Sequence, residues 1–216
     1  MTIDFSKGHQ LTRENFKILR LTAKQSYLSK NYGLASSLNV LSVEELVKSL
    51  FFFIRNHNPD VGLKNFEQVF KNHKIKHNEL KEIIKSSYEG FDILYFNILE
   101  DKKVLLDRLP DERKDEFAKE YVDIERVKNR VDKIKGYQIQ VDEILIWLQN
   151  SNDIKNNGLY IGLDTISGVW STPTDYSKVT IKTELKYAKI LYLCIENFED
   201  IHIFMKNLKE RQKNYS

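Results

Sequence analysis

The chain has 216 residues, the length of one domain or one domain with an extension at roughly 150 residues per domain. A hydrophobic share of 41% excludes wholesale disorder, and eight glycines and three prolines are too few for a many-turned all-β fold. The formal charge of +3 does not by itself imply a nucleic-acid partner, and the single cysteine, Cys194, excludes an intrachain disulfide framework and a multi-cysteine zinc site.

Helical periodicity dominates from the start. Thr12 is placed to cap a first helix running to Lys30, with Phe16, Leu19, Ala23 and Tyr27 on one stripe. Asn31-Tyr32-Gly33 reads as a stop, with Gly33 supplying a positive φ. A second helix, Leu34 to Arg55, is apolar around most of its circumference and belongs at the centre of a bundle. Further helices are expected over Lys64–Ser87 and Glu89–Asp107. A long charged pattern then runs from Asp111 to Gln149, bent or split at Gly136, with Val141, Ile144, Leu145 and Leu148 as its apolar stripe. Residues 151–177 read as a loop-rich insertion in which Leu159-Tyr160-Ile161 is extended. A last helix covers Lys178 to Asn207, and residues 208–216 form a frayed basic tail. The expectation is an all-α bundle of five to seven helices in one domain, 1–216, with an irregular insertion before the last helix.

Met1–Gln10 lacks the apolar run of a signal peptide, and Leu46–Ile54 is far short of the roughly 20 residues that cross a membrane. A soluble cytoplasmic protein with no membrane partner is expected.

Two polar clusters interrupt apolar stripes. On the second helix, Leu34, Leu38, Leu41, Glu45, Lys48 and Phe52 share a stripe, so Glu45 and Lys48 are expected to point into the bundle. Either Glu44 or Glu45 can reach Lys48 at helical spacing. On the third, Phe66, Val69, Phe70, His73, Lys76, His77 and Leu80 share a face. His73 and His77 have the spacing of a two-histidine metal site, a weak signal without a flanking Glu motif, and no metal or cofactor is assigned. Buried charges demand partners, so Glu44, Glu45, Lys48, His73 and Lys76 form one candidate cluster across the two helices. It reads equally as a structural network that fixes helix register or as an acid–base site. No phosphate-binding Gly-Lys loop and no Gly-x-Ser-x-Gly elbow is present, and Cys194 lies in an apolar helical run that suits a small buried residue.

The order of these pieces carries a resemblance. Tyr32-Gly33-Leu34-Ala35, then Val43-Glu44-Glu45-Leu46-Val47-Lys48, then Phe66-x-x-x-Phe70-x-x-His73-x-x-Lys76, then Lys155-x-x-Gly158-Leu159-Tyr160-Ile161 and Trp170-x-x-Pro173 resemble the abortive infection protein V (AbiV) family of bacterial phage-defence proteins, among the HEPN-type helical domains. The resemblance runs roughly from Thr12 to Leu193. It implies a HEPN-like bundle, a homodimer, a phage protein as trigger, and arrest of gene expression, with RNA or the translation machinery as the target. A metal-independent ribonuclease is the alternative activity, with His73 as acid or base and Lys48 or Lys76 against the phosphate; a non-enzymatic protein-binding module is the other. The family's Leu-Tyr-Val-Asp piece is here Leu159-Tyr160-Ile161-Gly162. The HEPN ribonuclease signature, an Arg four to six residues before a His, is absent at His9, His57, His73, His77 and His202.

Overall fold

A computed structural model describes residues 3–58, 78–83, 125–126, 128–132, 135–160, 162–163, 170–173 and 176–215. The expected helices at 64–87 and 89–107 lie mostly or wholly outside these residues. So do His73, Lys76 and His77. Residues 78–83 are helical, and Leu80 among them is fully buried.

The first helix, α1, spans Phe5–Leu28, a full two turns earlier than Thr12 would start it. Asp4 is its cap, accepting from the Lys7 amide at 2.9 Å. Thr12 instead donates its hydroxyl back to the Gly8 carbonyl at 2.8 Å, the intrahelical alternative open to threonine. The left-handed residue that turns the chain is Lys30, at φ 61°, not Gly33. Asn31 then caps the second helix, α2, which spans Tyr32–His57 and takes Gly33 into its first turn.

α2 is the central element, packed against α1 and against the helices at Ser151–Leu159 and Lys178–Tyr215. Val40, Val43, Leu46, Val47, Leu50 and Phe51 are fully buried. Gly136 and Tyr137 form a turn that splits the long charged pattern, as its glycine implied, and α3 follows over Gln138–Gln149. Val141, Ile144, Leu145 and Leu148 are all buried on its inner stripe.

The expected loop-rich insertion is partly helical: α4 spans Ser151–Leu159, so Leu159 closes a helix instead of opening an extended segment. A two-residue antiparallel pairing follows, β1 (Gly162–Leu163) with β2 (Trp170–Ser171). The last helix, α5, runs over Lys178–Tyr215, through the stretch expected to fray. No Gly or Pro occurs from Lys178 onward to stop it. Apart from the short β pairing and turns, the described residues are helical, and the fold is all-α.

Candidate functional site

The motif residues on α2 and α4 fall into two groups. Gly33 and Gly158 are packing residues. A Cβ on Gly33 would lie 2.3 Å from the Pro173 carbonyl oxygen, and one on Gly158 would lie 2.2 Å from the Ser37 hydroxyl. Ser37 also donates to the Lys155 carbonyl at 2.8 Å. Thus the Tyr-Gly-x-Ala and Lys-x-x-Gly pieces meet where α4 crosses the start of α2.

Glu44, Glu45 and Lys48 do not form one cluster. Lys48 is ion-paired with Glu45, one turn away. Both are partly exposed, and so are Leu34, Leu38, Leu41 and Phe52 on the same stripe. That stripe is the least buried side of α2, because a helix apolar all round cannot signal by periodicity which side faces the core. Glu44 points the other way. It is 7% exposed and faces Lys155 of α4, with Lys155 Nζ 3.7 Å from Oε1.

A second buried polar group joins α2 to α5. Ser36 donates to Glu184 Oε2 at 2.5 Å, and Asn39 donates to the Glu184 carbonyl at 2.9 Å. Burial pushes the Glu184 carboxyl above its ordinary value, while hydrogen bonding from Ser36 pulls it back. The nearby Tyr176 phenol is pushed up to about 12, by burial and then by the Glu184 charge.

Among the described residues, the arrangement richest in acid–base groups was not visible in the sequence. It lies where α1, the end of α2 and α5 meet. His9, Arg13, Phe16 and Arg20 recur at helical spacing on α1 and face Tyr192, Glu196, Glu199 and His202 on α5. Arg13 Nη2 donates to Glu199 Oε2 at 2.6 Å, and His9 Nε2 lies 3.3 Å from the other Glu199 oxygen. Among the described residues Arg13 Nη1 is buried with no hydrogen-bond partner. Arg13 and Arg20 both lie over the Tyr192 ring, at 5.5 and 5.7 Å. Burial depresses the Arg20 guanidinium, opposed by Tyr192 and Glu196. The Tyr192 phenol is pushed up to about 12 by burial and by its hydrogen bond to Glu196, with both arginines pulling it back.

Three histidine rings surround Phe53 at the same end: His57 at 4.2 Å, His9 at 5.6 Å and His202 at 5.7 Å between centroids. His57 Nδ1 lies 3.0 Å from the Phe53 carbonyl, which only accepts. The neutral ring therefore carries its proton on Nδ1 and keeps the Nε2 lone pair. Asn58 Nδ2 lies 3.2 Å from His202 Nε2, so in neutral His202 the proton sits on Nδ1. His57 and His202 are 5.9 Å apart, and His9, His57 and His202 are all partly exposed. His57 can thus accept a proton at Nε2, while His202 can donate one only as the imidazolium. The only advance signal was the pair of arginines at a heptad interval around Phe16.

Among the described residues no group of three His, Cys, Asp or Glu side chains is placed to hold a metal ion, and no helix is long and apolar enough to cross a membrane. No significant match was found among curated proteins or among solved structures. The family model HEPN_AbiV, described as AbiV, matches residues 4–193, from the α1 cap Asp4 into α5. A match over that much of a 216-residue protein shows that the chain belongs to the HEPN_AbiV family.

Proposed function

We propose that this protein is a cytoplasmic phage-defence factor of the abortive-infection type, which acts as a homodimer and arrests gene expression, at translation, once a phage protein is present. The family match over residues 4–193 is the observation that carries this reading. Its test is protein synthesis in infected cells. Pulse labelling after infection should stop early in cells carrying the chain and continue in cells without it. Continued labelling in both would remove translation as the target.

A second reading is favoured by one specific observation, the approach of the His57 and His202 rings to 5.9 Å. In it the chain is a metal-independent ribonuclease. His57 Nε2 takes the proton of a ribose hydroxyl, and His202, entering as the imidazolium, protonates the leaving oxygen. Glu199 and His202 lie beyond the residues the family model matches, so this site would be completed outside it. The location expected from sequence, His73 with Lys48 or Lys76 and the carboxylates Glu44 and Glu45, is the alternative; Lys48 is already ion-paired with Glu45. Incubating purified protein with total RNA and with tRNA separates the cases. Cleavage lost in His57→Ala but kept in His73→Ala supports the α1–α2–α5 site, the reverse supports the sequence-based one, and no cleavage by wild type leaves a binding module.

A further inference from the structure

Viewed down its axis, α1 has two faces. Arg13, Phe16, Ala23 and Ser26 are buried against the bundle. On the opposite side Leu11, Ile18, Leu21 and Leu28 are 54%, 63%, 58% and 76% exposed. Single exposed leucines are ordinary, but four on one stripe are not. Their intervals of seven, three and seven residues are those of a two-helix seam. The Phe51-Phe52-Phe53 run of α2 does not add to this surface. Phe51 and Phe53 are 0% and 3% exposed, and Phe52 packs on Gly8 and near Phe5.

The seven-three-seven pattern reads the same from either end. A twofold axis between Leu19 and Arg20 sets Leu11 opposite Leu28 of a second copy, and Ile18 opposite Leu21. The positions between are also matched. Glu14 comes level with Gln25 of the second copy, whose amide can donate to it, and within one residue of the second copy's Lys24. A contact between identical surfaces must be self-complementary, and this stripe is, in apolar groups and in charge. We propose that α1 is a dimer seam, in which two copies pair antiparallel through Leu11, Ile18, Leu21 and Leu28. The inference rests on the homodimer reading and adds its face, direction and register.

Sedimentation equilibrium and directed cross-linking test it. Wild type should sediment at twice 25.6 kDa, and Ile18→Glu/Leu21→Glu at 25.6 kDa with unchanged helical circular dichroism. Chains carrying Leu11→Cys, mixed with chains carrying Leu28→Cys, should oxidise to a covalent heterodimer. Leu11→Cys alone should not link to itself, because 17 residues of offset at 1.5 Å separate its two copies by about 25 Å. A monomeric wild type overturns both the dimer and the seam, including the case in which α1 instead captures a phage protein. A dimer that survives both glutamates, or links Leu11→Cys to itself, overturns the seam alone. Should the glutamate variant fail to fold, the cross-linking pattern decides.

Discussion

Gly33 of α2 and Gly158 of α4 occupy each other's side-chain space: a Cβ on Gly158 would sit 2.4 Å from the Gly33 carbonyl oxygen, and one on Gly33 would sit 2.9 Å from that of Gly158. Neither glycine is there for a turn. Apart from the Ser37 hydroxyl facing Gly158, the obstacles are backbone atoms, which cannot rotate away as a side chain can. Gly33→Ala and Gly158→Ala should each cost about 1–3 kcal/mol in chemical denaturation. The double variant should cost less than the sum, because one separation of α2 from α4 relieves both clashes. Strict additivity would mean that the two helices do not share this contact.

Arg13 and Glu199 are the buried ion pair that ties α1 to α5. Arg13→Met leaves a buried carboxylate with, among the described residues, only His9 beside it, and should destabilise by about 3–5 kcal/mol. Replacing both, as Arg13→Met/Glu199→Leu, should recover most of that loss. A single variant as stable as wild type would show the pair to be solvated.

Glu184 sets a pH dependence. Its folded-state carboxyl lies above its ordinary value near 4.5, chiefly through burial. The stability it contributes is therefore fully present below that value and is lost as pH rises through the raised one. Glu184→Gln keeps an acceptor for Ser36 and removes the titration. Between pH 4.5 and 7 the wild-type melting temperature should fall relative to that of the variant. A constant difference across that range would refute the assignment.

How much of this was written in the sequence depends on the kind of pattern. Val141, Ile144, Leu145 and Leu148 declared the inner face of α3 because polar residues occupy its other side. The stripe from Leu34 to Phe52 was equally regular but misread, since α2 is apolar almost all round and its core side is fixed by which helices cover it. Gly33 looked like a turn glycine because such a position usually prefers glycine, whereas Lys30 takes the left-handed conformation and Gly33 serves close packing. Arg13 and Glu199 are 186 residues apart, and no local periodicity joins them. The family resemblance, carried by Tyr32-Gly33, Glu44-Glu45 and Lys155-x-x-Gly158, was legible because those pieces keep their order along the chain. The pairing of Glu44 with Lys155 was not legible, since it depends on how α4 crosses α2.

His57 is cheap to truncate and informative to lose. It is partly exposed and, among the described residues, hydrogen-bonds only its own helix, at the Phe53 carbonyl, so His57→Ala should cost on the order of 1 kcal/mol or less. Under the ribonuclease reading that variant keeps a melting temperature near wild type and loses phage protection. Full protection by a folded His57→Ala protein would exclude His57 from the chemistry, and the same comparison applied to His73→Ala tests the sequence-based location.

Membership of the HEPN_AbiV family makes phage defence the central claim, and plating efficiency tests it most directly. A sensitive bacterial host expressing the chain should be challenged with a panel of phages beside the same host carrying an empty vector. At least one phage should form far fewer plaques on the expressing strain, while its infected cells release few progeny and do not recover. Equal plating and equal progeny yield on both strains across the panel, with the protein present at full length, would contradict it.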